Sequence, residues 1–171
     1  MKYIPIRVPV KRGRFNLYQT IRSAVEGQGE EILDNDILAV SSKFIAMSEG
    51  RVIDLDSVKP SGEAVKLSNA AHIPSSLAEL ILREADEIYS TLPGFVLTIK
   101  YGMVVPNAGI DRSNVERGCA ILYPRDPVAT AERLRLQILV DLGKRVGVVV
   151  TDSRLMPTRI GTTGIAVAAA G

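Results

Sequence analysis

The run DPVATAERLRLQILVDLGKRVGVVVTDS, Asp126 to Ser153, decides how the rest of the chain is read. Asp126 can cap a helix, and Pro127 suits the first helical turn, where its missing N–H costs nothing. Val128, Ala131, Leu134, Ile138 and Leu142 then line one apolar helical face, and Gly143 closes the helix. Val146 to Val150 follows as a Val-rich run apolar on both faces, the pattern of a central strand. Beyond it, Asp152 and Ser153 stand where the carboxyl end of that strand should open into a loop, the place where open sheets collect ligands.

The remaining elements extend this helix and strand on both sides. Tyr3 to Val10 alternates Ile4, Ile6, Val8 and Val10, the period of a half-buried strand that Pro5 and Pro9 confine to an edge. Phe15 to Val25 is predicted as a helix on the spacing of Leu17, Ile21 and Val25, ended by Gly27 and Gly29. Asp34 to Asp36 makes a turn, and Ile37 to Val40 reads as a buried strand. GRVIDL from Gly50 reads as its returning partner in a hairpin that turns at Ser48 to Gly50. After a loop at Ser57 to Ser61, two helices are predicted. Ser76 and Glu79 have capping-box spacing, Leu77, Leu80, Ile81 and Ile88 fall on one face, and Thr91 to Gly94 breaks the second helix. Phe95 to Ile99 and Ala120 to Tyr123 are strands. Together these elements predict a mixed α/β fold, a mixed β-sheet flanked by helices, with no internal repeat.

Composition narrows the function classes. The chain has 171 residues, 46% hydrophobic and 23% charged, ordinary for one globular domain. Its 21 basic and 19 acidic residues leave a formal +2, and aromatic residues make up 5% with no Trp, so neither a basic stripe nor a stacking platform for nucleic acid is present. No apolar run is long enough to span a bilayer, and the amino terminus lacks the apolar core of a signal peptide. Cys119 is the only cysteine, which excludes an intrachain disulfide and suits a cytoplasmic chain. Cys119 itself reads as a small buried hydrophobe. His72, the only histidine, reads as a helix-end residue without a catalytic role and leaves hard oxygen ligands for any metal.

Two aspartates carry the chemical signal. YGMVVPNAGIDRSN, Tyr101 to Asn114, ends a strand-like run in a polar turn containing Asp111, much as VGVVVTDS ends in Asp152. Asn, Asp and Gly favour turns by local hydrogen bonding alone. Here, however, Val104, Val105, Ala108 and Ile110 pull the turn toward a core, where unpaired polar groups are costly. Two strand-end carboxylates suit a Mg²⁺ or Mn²⁺ ion shared with substrate phosphates. Ser41, Ser42 and Lys43 end another strand with two hydroxyls and a cation able to bind a phosphate, although a solvated strand end has the same composition. Lys11, Arg12 and Arg14 form a basic group that could meet phosphates or simply be solvated. No GxxxxGK[ST] occurs, and GTTGIAVAAAG at Gly161 to Gly171 lacks GxGxxG spacing.

The strings AVSSKFIAMSEGRVIDL, GMVVPNAGIDRSN, VGVVVTDS and RIGTTGIAVAAAG, in this order, resemble the coenzyme F420-0:gamma-glutamyl ligase family over nearly the whole chain. The resemblance implies one ligase-like domain over 1–171, with the family continuing past Gly171, so that the chain reads as a truncated member. It implies an enzyme that uses GTP and Mg²⁺ or Mn²⁺ to join L-glutamate to the carboxylate of F420-0, and that works as a homodimer. By the same resemblance, Asp111, Asp152 and Ser153 are metal ligands, Ser153 standing where a threonine is usual. Val8, Pro9, Val10, Lys11, Ser42, Lys43 and Asn114 are nucleotide contacts. Met47 stands where the family commonly has a lysine, and Leu155 and Met156 where it has glycine and arginine. These three favour a second reading, a nucleotide- or flavin-binding relative without catalysis. A third is a ligase for another carboxylate.

Overall fold

A computed structural model describes residues 2–9, 11, 13–113, 115–155 and 160–171. In chain order its elements are helix α1 (Leu17–Glu26), strand β1 (Ile37–Ser41), α2 (Ser42–Ser48), β2 (Val52–Asp54), α3 (Gly62–Ala71) and α4 (Ser75–Glu84). Strands β3 (Glu87–Leu92), β4 (Phe95–Lys100), β5 (Met103–Pro106) and β6 (Cys119–Ile121) follow, and α5 (Pro127–Leu142), β7 (Gly147–Leu155) and β8 (Thr162–Ala170) complete the chain. The mixed α/β class predicted from sequence is the class observed. Two compact units divide the chain, one from Met1–Gly50 with Pro124–Gly171 and the other from Arg51–Tyr123.

The first unit is built on a three-stranded sheet of order β1-β7-β8, in which β7 runs parallel to β1 and antiparallel to β8. Val146, Val148 and Val150 are buried with Leu134 and Ile138 of α5 and Tyr18, Ile21 and Val25 of α1. Helix α5 forms as its caps dictate. Asp126 accepts from the Ala129 N–H at 2.8 Å, Pro127 occupies the first turn, and Gly143 takes the left-handed conformation at φ 67°. Asn16 caps α1 in the same way through the Gln19 N–H at 3.0 Å. A clamp joins the two helices: the Tyr18 hydroxyl donates to Asp141 Oδ2 at 2.5 Å, and Arg22 pairs with the same oxygen.

In the second unit, β3, β4 and β5 form an antiparallel meander while β2 pairs with β6. Leu77, Leu80 and Ile81 of α4 bury against Val96, Ile110, Ala120 and Leu122. Tyr101 and Gly102, at φ 52° and 70°, make the tight turn between β4 and β5, a conformation that matches the strand twist.

Four sequence-based expectations are corrected here. Residues 3–9 form no strand; Pro5 and Pro9 cannot donate to a ladder, and Gln28 instead holds the segment at the Arg7 backbone. The hairpin predicted between Ile37–Val40 and GRVIDL is absent. Ser42–Ser48 is helical, β1 pairs with the distant β7, and β2 pairs with β6. Ser76 and Glu79 form no capping box, because α4 begins after Pro74 and Glu79 instead accepts the Ser61 N–H at 2.8 Å. Hydrogen bonding from the Ser61 side chain first, then this backbone bond, and Arg83 after them hold the Glu79 carboxyl below its ordinary value. Ile88 lies in β3 and not on the second helix, which ends at Glu84.

The clamp gives this unit a specific acid response. The Tyr18 hydrogen bond first, and the Arg22 charge and hydrogen bond after it, hold the Asp141 carboxyl below its ordinary value. A lowered carboxylate contributes stability above its unfolded pKa and loses it as pH falls through the folded value. Asp141→Asn should therefore flatten the stability–pH curve below about pH 4. Urea midpoints measured from pH 6 to pH 2 check this, and an unchanged acid slope would remove the clamp from the account.

Candidate functional site

The first unit brings Ser42 and Asp152 together. Residues Ile37–Ser41 pair with Gly147–Thr151, so β1 stops one residue before Asp152. The β7–β8 ladder shifts register between Val150 and Thr151, where a bulge redirects the side chains that follow. Ser42, almost wholly buried at the start of α2, donates its hydroxyl to Asp152 Oδ1 at 3.2 Å. The Ser153 N–H donates to the same oxygen at 2.9 Å, and Arg154 Nε meets Oδ2 at 3.3 Å. The carboxylate is thus held by a hydroxyl, an amide and a buried guanidinium.

Asp152 is not at the loop-facing end of its strand, as the sequence pattern suggests. Strand β7 runs on to Leu155 because β8 supplies antiparallel partners where β1 gives out, Asp152 opposite Ile165 and Ser153 opposite Gly164. GTTGIAVAAAG accordingly contributes to β8. Arg154, missed as a site residue, had a signal: in a strand, residues two apart share a face.

The second unit holds Asp111 in a different setting. Its backbone exchanges two hydrogen bonds with Ile121 of β6, at 2.9 and 2.8 Å, which fixes where the side chain starts. Ser113 donates its N–H to Asp111 Oδ1 at 2.6 Å and its hydroxyl to Oδ2 at 3.0 Å. Just before it, Asn107, Ala108 and Gly109 take positive φ values of 51°, 53° and 73° in succession. Non-glycine residues rarely adopt this conformation, and two adjoining ones require outside support. Asn107 Oδ1 accepts the Val96 N–H at 2.9 Å, and the side chain of Ala108 is fully buried. Gly109 has no room for a side chain, since a Cβ there would sit 2.4 Å from Tyr123 Cδ2. The prediction that Val105, Ala108 and Ile110 draw the turn into a core holds, whereas Val104 is exposed.

The other predicted positions are more scattered. Val8 is half-buried, Pro9 and Lys11 are exposed in the irregular amino-terminal segment, and Lys43 follows Ser42 in α2. Val10 and Asn114, along with Arg12 and Met156, lie outside the described residues. Met47 sits in α2, where its carbonyl accepts the Gly50 N–H. His72 closes α3 in the left-handed conformation, as a helix-end residue, and Cys119 is half-buried in β6. Among the described residues, no group of three His, Cys, Asp or Glu converges on one point, and no helix is long and apolar enough to cross a membrane. The donors at Asp152, Ser153 and Ser42, and at Asp111 and Ser113, are all oxygens, which fits a hard divalent ion that completes its shell with phosphates and water.

These features define a mixed α/β protein with two sheet-associated carboxylates, each braced by a neighbouring serine. Residues 5–171 match the sequence model of the F420-0:Gamma-glutamyl ligase family, and the chain belongs to that family. It is 37% identical over 152 residues to the coenzyme F420:L-glutamate ligase of Methanothermobacter thermautotrophicus, covering 88% of this chain and 60% of that protein. It is 39% identical over 138 residues to the protein of that name from Archaeoglobus fulgidus, covering 81% and 55%. Against the one from Methanocaldococcus jannaschii it is 36% identical over 174 aligned residues, covering 100% and 67%. The chain therefore spans little more than half the length of several curated relatives that it matches.

Gly109→Ala should lower stability by more than about 2 kcal/mol, because the methyl group must displace a buried tyrosine at a backbone angle that already favours glycine. Chemical denaturation measures it, and a loss below about 0.5 kcal/mol would contradict the packing described.

Proposed function

We propose that the protein is a GTP-dependent ligase that joins L-glutamate to F420-0 in coenzyme F420 biosynthesis, acting in the cytoplasm as a homodimer. The family match across residues 5–171, to relatives named coenzyme F420:L-glutamate ligase, is the observation that carries this. In this reading Asp111 and Asp152, with Ser153, are ligands to Mg²⁺ or Mn²⁺, and Val8 to Lys11, Ser42, Lys43 and Asn114 contact GTP. The bound metal would supply charge neutralisation at the phosphates.

The chemistry suits this set of side chains. A free carboxylate is a poor acyl donor because its leaving group would be oxide. Transfer of the γ-phosphoryl group from GTP to a carboxylate oxygen of F420-0 releases GDP and gives an acyl phosphate. The glutamate amine then attacks the acyl carbon, the C–N bond forms, the C–O bond to phosphate breaks, and inorganic phosphate leaves as the amine gives up a proton. No side-chain nucleophile takes part, so the protein's work is to position the reactants and stabilise charge. Ser42 serves this by fixing one Asp152 oxygen, and Arg154 by compensating the carboxylate charge.

One observation favours the second reading, a nucleotide- or flavin-binding relative. Arg154 already supplies a positive charge to Asp152, the part a metal would play. GDP release separates the two. A ligase produces GDP over many turnovers only when F420-0, L-glutamate and Mn²⁺ are all present, and Asp111→Asn or Asp152→Asn lowers that rate at least about 100-fold. No GDP from the wild-type protein under these conditions would favour the binding module, whereas GDP with F420-0 replaced by another carboxylate would reassign the acceptor.

A further inference from the structure

We propose that Thr98 is the positioning residue of the Asn107–Asp111 turn: its buried hydroxyl locks the left-handed backbone that directs Asp111. The proposal rests on the reading of Asp111 as a metal ligand and goes beyond it to a residue outside the turn.

Thr98 lies in the middle of β4 and is completely buried. Its hydroxyl accepts the Ala108 N–H at 2.9 Å and donates to the Val105 carbonyl at 2.7 Å. The ladder already pairs Thr98 with Val105 across β4 and β5. The hydroxyl therefore bridges the end of β5 to the first residues of the turn that leaves it. That turn contains Asn107 and Ala108, both non-glycine and both at positive φ, a conformation costing about 1–3 kcal/mol for each residue unless its surroundings over-determine it. Asn107 meets part of this cost through its side-chain bond to the Val96 N–H, two residues from Thr98 on the same face of β4. Thr98 supplies the other anchor, taking up the Ala108 amide where both residues are fully buried.

From Ala108 the chain has only Gly109 and Ile110 before Asp111. Ile110 is buried, and its N–H returns to the Asn107 carbonyl at 2.9 Å. A change in the Ala108 backbone thus passes to Asp111 through two residues that have little freedom. Valine in place of Thr98 keeps the shape but offers the Ala108 N–H no acceptor, so the left-handed turn should relax. Serine keeps the hydroxyl.

Mn²⁺ binding in the presence of GTP, followed by the paramagnetic resonance signal of the free ion, tests this alongside hydrogen exchange at the Ala108 amide. Thr98→Val should weaken Mn²⁺ binding at least tenfold and speed Ala108 exchange at least tenfold, while Thr98→Ser stays within about twofold of wild type on both. Ile73→Ala, which opens a cavity in the same hydrophobic cluster but lies on neither β4 nor the turn, should leave Mn²⁺ affinity within about twofold despite its lower melting temperature. If Thr98→Val binds Mn²⁺ as wild type does while Asp111→Asn does not, the role of Thr98 is refuted and the metal reading stands. If Asp111→Asn also binds normally, the metal reading is wrong and this proposal falls with it. Equal losses in Thr98→Val and Ile73→Ala would likewise overturn it, since the stability of the unit alone would then explain the effect.

Discussion

The parallel ladder between Ile37–Ser41 and Gly147–Thr151 is the constraint on which the rest of the fold depends. Parallel strands cannot be joined by a tight turn and need a crossover. Here the crossover runs from Ser42 to Val146 and contains α2, the whole Arg51–Tyr123 unit and α5. The same ladder ends at Thr151, one residue before Asp152, while β8 pairs with the other edge of β7 from Val148 to Leu155. The end of β1 leaves Asp152 within reach of the Ser42 hydroxyl at the start of α2, so a single pairing choice sets both the topology and the environment of one candidate ligand.

Both candidate carboxylates are braced by neighbours close in the chain or in the sheet. Ser113 holds Asp111 from two residues away, and Ser153 and Arg154 hold Asp152 from one and two away. Ser42 reaches Asp152 from across the sequence. Such bracing costs little side-chain entropy when a ligand arrives, because the carboxylate is already oriented, which is the usual advantage of preorganisation. Arg154 adds a second property. It sets a positive charge 3.3 Å from a carboxylate oxygen that is partly buried.

Elements specified by local chemistry were legible in the sequence. The caps of α5, the apolar run of β7 and the turn around Asp111 follow from Asp126, Pro127, Gly143, the valines and the Asn-Gly pattern. Partner choice was not legible. Nothing in SSKFIAM distinguishes a hairpin arm from the start of a crossover helix, because the partner of β1 lies over a hundred residues away. Glu79 shows the same limit in miniature: its spacing from Ser76 suggested a cap, but its carboxylate accepts the Ser61 amide, fifteen residues before Ser76. The site was half visible. Asp111 and Asp152 stood out as polar residues after apolar runs, whereas Thr98 looked like any inward-facing strand residue until the turn folded against it.

The central claim is the proposal that Asp111 and Asp152 are ligands to divalent metal that serves GTP. Anomalous diffraction at the manganese edge, from crystals of the protein grown with GTP and Mn²⁺, tests it most directly. The account predicts anomalous density about 2.1 Å from a carboxylate oxygen of Asp111 and about 2.1 Å from one of Asp152. Manganese bound away from these aspartates would contradict it.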